Sequence, residues 1–366
     1  MTKRISALDA TMRALGAEMG EWNDMAVAFG FPWDPHLEHD AIRETAGIWD
    51  TSALTKIQVR GTDALEAIDY LVTRNMTRIP VGKSAYCPIL KNDGHFCDDG
   101  IIFHVAENHF LVASSIGPSY ELLKDYGKSR DLSVERDEDL HIITVQGQKS
   151  IDLLDARTAA NLRELRFCHQ IHANLCSTDM MISRTGYSGE RGYELYMRAH
   201  EVVGVWEELM KHAAPLGIRP ISFGGLEMVH IESGLMAYGA EATEENTPWE
   251  VDMGWAVSRN KGDFRGKQAV FDLEGKEKVK FYGIVADHDD VVEHGAELFI
   301  DGEVVGRVTT PAYSKRLGKS LALVHLIPSA AREGTKLELK GPNIQCSATA
   351  TSIPFVDPER KRLHAM

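Results

Sequence analysis

The chain has 366 residues, 43% of them hydrophobic, with 54 acidic against 40 basic side chains and a formal charge of −14. That length allows two or three domains with a sizeable core, and that charge argues against a nucleic-acid backbone or an anionic membrane as partner. Five cysteines (Cys87, Cys97, Cys168, Cys176, Cys346), odd in number and without CxxC spacing, argue against a disulfide framework or a zinc site and fit a reducing compartment.

At the N-terminus, Ile5, Leu8, Met12, Leu15 and Met19 recur at three- and four-residue steps, which predicts an amphipathic helix. Asp9 and Glu18 interrupt any signal-peptide core. The stretch WNDMAVAFGFPWDPHLEHD (22–40) reads as an irregular loop. Strand-like and helix-like pieces then alternate: TKIQVRG, a strand; DALEAIDYLVT, a helix; SAYCPIL, a strand; NDGH, a hairpin turn; DDGIIFHVA and HFLVASS, strands; SYELLKDYGKS, a helix; HIITVQG, a strand. MMISRTGYSGERGYELYMR (180–198) reads as strand, glycine-rich turn and strand. In the helix HEVVGVWEELMKHAAP, Val202, Trp206, Leu209 and Ala213 form one apolar face and Pro215 ends it. ISFGGLEMVHIESGL reads as a second helix. Hairpins mixed with helices predict α+β layers rather than a doubly wound sheet. EGKEKVK (274–280) is a linker candidate, and the short strands beyond it predict a small β-barrel. No apolar run approaches a membrane span, so a soluble, cytoplasmic protein is expected.

Several residues could carry chemistry. Asp98 and Asp99 are adjacent in a predicted strand, so only one can face a given cavity. Each could instead cap the hairpin end. Gly186, Gly189 and Gly192 fit neither a GxGxxG nor a Walker loop; they suit a bulged turn that is structural or lets a flat ligand approach backbone. Glu194 stands inside a strand, where glutamate is depleted and burial is costly without a partner. It either faces water or holds something. His36 and His39, and Cys168, His169, His172 and Cys176, match no metal spacing with its remaining ligands. No GxSxG elbow is present. Trp249 and Trp255, in a Pro- and Gly-bounded loop, could stack on a planar ligand or simply fill core.

Taken in order, RTGYSGERGYELY, NDGHFCDDGIIFHV, VQGQKS, ESGLMAYGAEATEENTPWEVDMGWAV, KGDFRGKQA and VGRVTTPAYSKRLGKSLALVHL resemble the motifs of the aminomethyltransferase family, typified by the T-protein of the glycine cleavage system. The resemblance runs from about Glu38 to the end of the barrel. It implies a three-domain α+β cloverleaf: two interleaved ferredoxin-like subdomains over residues 1–275, and a C-terminal β-barrel over 276–366, around a central folate cavity. It implies a tetrahydrofolate-dependent transferase that takes a one-carbon unit from a small methylated substrate, with no need of pyridoxal, metal or flavin. Glu194 matches the family glutamate that holds the pterin edge. Bidentate acceptance of two side-by-side N–H donors suits a carboxylate. Tyr187 matches the turn tyrosine beside the folate, and Trp255 the tryptophan of the LxW element. The family aspartate near the reacting nitrogens falls within Asp98–Asp99; Asp99 is favoured because it keeps the family spacing from Tyr86. Tyr86 and Asp98 are then further cofactor contacts, and Tyr238 a donor to the leaving atom if it faces the cavity. The chain departs from the T-protein pattern at Leu226 and His230, where the family has arginines, at DTSAL (50–54), and in the N-terminal loop. These departures fall where the donor would enter and point to a demethylase of small N-, O- or S-methyl compounds. The glycine-cleavage T-protein itself is the alternative. A non-catalytic folate-binding protein ranks lower, because Asp263 stands where those relatives carry cysteine.

Overall fold

The computed structural model describes residues 4–365. The chain interleaves two sheets before it builds a barrel. A six-stranded sheet has the order Gln170–Leu175, Thr178–Ser183, Gly192–Arg198, Leu140–Gln146, Gly47–Asp50, Arg219–Pro220. A five-stranded antiparallel sheet has the order Lys83–Leu90, Phe96–Ala106, His109–Ser114, Thr55–Arg60, Ser133–Arg136. The chain leaves the first sheet after Asp50, completes the second between Thr55 and Arg136, and returns at Leu140, so the six-stranded sheet is split in sequence around a contiguous five-stranded one. Six strands between Lys280 and Thr351 close a barrel, with Lys280–Ala286 pairing both Lys319–Leu326 and Gln345–Thr351. Among the described residues no helix is long and apolar enough to cross a membrane.

Each layer follows from its pattern. Val202, Trp206, Leu209 and Ala213 of helix Ala199–Ala213 are buried in one cluster with Ile143, Val145, Ile182 and Leu195 of the six-stranded sheet. Helices Ala64–Leu71 and Ser119–Tyr126 cover the second sheet through Ile68, Leu71 and Leu123. The barrel has its own core, including Ile284, Leu298, Val324 and Leu339.

The N-terminal expectations need correction. The first helix spans only Asp9–Ala14. Gly16 at φ +80 ends it, as glycine in the left-handed conformation commonly does. Met19 lies in a strand and Ile5 is exposed. The expected irregular loop is a hairpin, Glu18–Trp22 with Met25–Gly30. Asn23 and Asp24 both take positive φ, which suits a two-residue turn between twisted strands. Helix Pro35–Glu44 follows: Asp34 accepts from the His36 N–H at 2.9 Å, and proline takes the first position.

A buried ionic network joins these parts. Arg43 donates to Glu232 (2.9 Å), Glu190 (2.9 Å) and the Val229 carbonyl (3.0 Å). Glu232 also receives Ser314 Oγ of the barrel at 2.6 Å, with His39 Nε2 at 2.9 Å. Arg362 reaches Glu190 at 2.7 Å. Burial would raise the Glu232 carboxyl, but His39 and Arg43 hold it at about 2, against an ordinary 4.5. It therefore contributes stability above about pH 4.5 that is lost as pH falls toward 2. Glu232→Gln should lower the unfolding free energy in urea by about 3 kcal/mol at neutral pH. The gap to wild type should shrink between about pH 5 and pH 3. A gap that does not change with pH would show that the pair does not titrate with folding.

Candidate active site

The strand Phe96–Ala106 divides the two aspartates. Asp98 is fully buried and points at the following loop. It accepts from Ser119 Oγ and from the Asp99 (2.9 Å) and Gly117 (3.2 Å) backbone N–H groups. A Cβ on Gly117 would lie 2.2 Å from the Cys97 carbonyl, so that approach requires glycine. Asp98 is thus held from within the chain and anchors the loop that follows the strand Phe96–Ala106 and its partner. Asp99 points the other way. It pairs opposite Pro88 and receives the Tyr86 hydroxyl. Burial pushes its carboxyl up to about 7, aided by the Asp98 charge and opposed by Tyr86. No cation pairs with it among the described residues.

The glycine turn is packed against Gln146. A Cβ on Gly186 or Gly192 would lie 2.0–2.2 Å from that side chain. Gln146 in turn donates to the Thr185 carbonyl at 3.0 Å and accepts from Ser188 Oγ at 2.9 Å. Beyond the turn, Glu194 sits in strand Gly192–Arg198 opposite Ser183 and Thr144. It is buried, 6% exposed. Thr185 Oγ1 (2.5 Å) and Tyr196 Oη (3.1 Å) both donate to Oε2, and Oε1 has no partner among the described residues. Burial raises its pKa and these two donors oppose that.

Tyr187, on the same turn, stacks on His230 with centroids 5.6 Å apart. Its hydroxyl and His230 Nε2 are buried without partners. Burial lowers His230 to about 4, so its imidazole is neutral. Tyr86 and Tyr238 pack into one apolar cluster with Phe96. The Asp99 charge acts on Tyr86, Tyr187 and Tyr238, which places these four groups together. Trp255 is not among them. It stands 62% exposed with the Arg74 guanidinium 5.4 Å over its ring.

Thr185, Tyr196 and the Tyr187–His230 stack are absent from the sequence reading. Tyr196 had a signal: two residues from Glu194 in a strand, it shares that face. Thr185 lies in the same hairpin, nine residues before Glu194, and only the Tyr187–His230 stack joins distant segments. Some of the donor-side departures meet: Asp50, Leu226 and residues 26–28 of the N-terminal segment, with Trp49 and Phe223, line one small cavity of about 20 Å³, room for about one water, while His230 lies outside it. The Trp49 indole N–H is buried there without a partner. Two of the histidines considered as metal ligands are otherwise engaged: His39 faces Glu232, and His169 Nδ1 lies 3.0 Å from the Phe167 carbonyl.

Known proteins share the sequence pattern and the fold. The GCVT N-terminal domain matches residues 8–261, and the glycine cleavage T-protein C-terminal barrel domain matches residues 280–357. The chain is 34% identical to the heme-dependent oxidative N-demethylase gamma subunit of Ectopseudomonas mendocina, over 98% of this chain and 97% of that protein. It is 31% identical to the aminomethyltransferase of Streptomyces coelicolor, over 91% and 92%. The crystal structure of the glycine cleavage system aminomethyltransferase T from Bartonella henselae has the same fold, with a TM-score of 0.90 over 98% of this chain and 99% of that one at 22% identity. The chain belongs to the glycine cleavage T-protein family of aminomethyltransferases.

Proposed function

We propose that this protein is a tetrahydrofolate-dependent one-carbon transferase that takes up the carbon of an N-methyl donor. The observation that carries the reading is Glu194: a buried carboxylate with no cation and with one oxygen free. Burying such a group is unfavourable unless something donates to it. The edge of a pterin offers two adjacent N–H donors, and the Tyr187 hydroxyl beside the turn also lacks a partner. The residues present therefore fit the folate that the family implies. When bound, tetrahydrofolate supplies N5 as the nucleophilic acceptor of the carbon.

The chain's own residues would do the rest. Glu194 Oε1 fixes the pterin, with Oε2 already held by Thr185 and Tyr196. Tyr187 lines the ring's side. Asp99 titrates near neutrality, so it can hold a proton or release one as the carbon changes partner, and Tyr86 fixes its orientation. Tyr238, within reach of the Asp99 charge, can donate to the leaving atom.

The 34% identity to an oxidative N-demethylase gamma subunit favours an N-methyl donor over an O- or S-methyl one, and favours work beside partner subunits. Oxidative N-demethylation leaves the carbon at the oxidation level of formaldehyde, which favours a methylene product. The neutral His230 and apolar Leu226 add to the case for a donor unlike that of glycine cleavage. The second reading, aminomethyl transfer in glycine cleavage, is favoured by 31% identity to an aminomethyltransferase. Purified protein with tetrahydrofolate should form ¹³C-methylene-tetrahydrofolate from an oxidised ¹³C-methylamine faster than the uncatalysed reaction. Turnover with an aminomethyl-lipoyl carrier alone would establish the second reading instead.

Two variants separate holding from chemistry. Glu194→Ala should weaken tetrahydrofolate binding by about 10- to 100-fold in calorimetry with an unchanged circular dichroism spectrum. Normal binding would return Glu194 to a structural role. Asp99→Asn should cut the transfer rate by about 100-fold or more while the dissociation constant for folate stays within about threefold. The wild-type rate should also show an inflection near pH 7 that Asp99→Asn loses. A variant that keeps the inflection would acquit Asp99.

A further inference from the structure

Residues 352–365 form no helix or strand, yet they hold both ends of the glycine turn. From the last barrel strand, Gln345–Thr351, the chain crosses back to the first region, where the Val356 N–H donates to the Glu232 carbonyl at 3.0 Å. Arg362 Nε then donates to Glu190, at 2.7 Å to Oε1 and 2.9 Å to Oε2, and its Nη2 donates to the Arg43 carbonyl. The Arg362 carbonyl accepts from Gln148 Nε2 at 3.0 Å. At the other end of the turn Arg184 is buried, and its acceptors among the described residues are three carbonyls. Leu165 supplies one at 3.2 Å; Leu363 (3.2 Å) and Ala365 (2.6 Å) supply the other two. His364, between them, meets the Phe167 ring at right angles, 5.2 Å between centroids.

Opening this segment would strip Arg184 of two of its three acceptors and Glu190 of one of its two arginines. A buried guanidinium left without acceptors is unfavourable, so the turn and the segment are energetically coupled. The two anchors bracket Tyr187, which lies three residues from each. Arg184 also adjoins Thr185, whose hydroxyl donates to Glu194 Oε2. Release of both anchors therefore loosens the stretch that carries Tyr187 and Thr185. The segment itself is lightly held. Pro358, Glu359, Lys361 and His364 are exposed, and its inner bonds are local ones, such as the Arg362 N–H to Asp357 Oδ2 at 2.8 Å. Such a segment opens at a far lower cost than the fold as a whole.

We propose that residues 352–365 are a clamp: closed on Arg184 and Glu190, they set Tyr187 and Glu194 for the pterin, so that clamp closure and folate binding strengthen one another. Arg362 is then a positioning residue that acts on the site through Glu190. This rests on the reading of Glu194 as the pterin holder. The coupling is reciprocal: the factor by which closure raises folate affinity is the factor by which folate stabilises closure. Hydrogen exchange of the wild-type full chain reads it directly. In saturating tetrahydrofolate the bonded amides of Val356 and Arg362 should exchange about fivefold or more slowly, while those of the barrel strand Lys319–Leu326 stay within about twofold. In calorimetry Arg362→Ala should weaken tetrahydrofolate binding by about fivefold or more, and Arg362→Lys, which keeps a cation opposite Glu190, should restore most of it. A purely structural Arg362 would lower stability without making the exchange of this segment depend on folate. Exchange of Val356 and Arg362 that ignores folate, or a folded Arg362→Ala that binds it within about twofold of wild type, would overturn the clamp and leave the folate reading standing. Should Arg362→Ala fail to fold, the wild-type exchange alone decides. A wild type that does not bind tetrahydrofolate would overturn the reading of Glu194, and the clamp with it.

Discussion

A carboxylate buried without a cation is the constraint around which this structure is arranged. Glu194 is largely removed from water and has gained only two hydroxyl donors, both on the same oxygen. Such a half-satisfied acceptor is unfavourable in a stable fold unless the neighbouring structure over-determines it. Here the neighbours do. The turn before Glu194 is pressed onto Gln146 so closely that a side chain at Gly186 or Gly192 would displace the Gln146 amide. Its Glu190 is gripped by Arg43, Gln148 and Arg362 from three different parts of the chain. The strand register then leaves Glu194 opposite Ser183 and Thr144, small hydroxyl residues that offer no positive charge.

The same logic separates Asp98 from Asp99. Adjacent strand residues face opposite sides, and each side supplied a different number of donors. Asp98 met three and became part of the scaffold. Asp99 met only a tyrosine hydroxyl and stays poised near neutrality. A titratable group near pH 7 in a buried polar cluster is what proton transfer needs, and the difference between the two aspartates arises from backbone placement alone.

Much of this was legible in the sequence. Period-two and 3.6-residue patterns located four strands of the five-stranded sheet, three of the six-stranded one, the helix Ala199–Ala213 and the barrel strands, whereas the short strands Gly47–Asp50, Ser133–Arg136 and Arg219–Pro220 and the edge strand Gln170–Leu175 were not read. The hairpin at residues 18–30 was missed because its turn is Asn-Asp rather than the commoner Asn-Gly, although both residues tolerate positive φ. Glu194, Tyr187 and Asp99 were visible as motif positions. What holds them was not: Thr185 is local, but Gln146, Arg43 and Arg362 lie 40 to 170 residues from the turn they fix. The exposure of Trp255 was equally hidden, since an aromatic in a loop reads the same whether it fills a core or lines a rim.

The most direct measurement is a crystal structure of the protein with tetrahydrofolate. The account predicts Glu194 Oε1 within hydrogen-bonding distance of the pterin's paired N–H groups, Thr185 and Tyr196 still on Oε2, and Asp99 facing the N5 side of the ring. A pterin bound elsewhere, with Glu194 Oε1 left bare or turned to solvent, would contradict it.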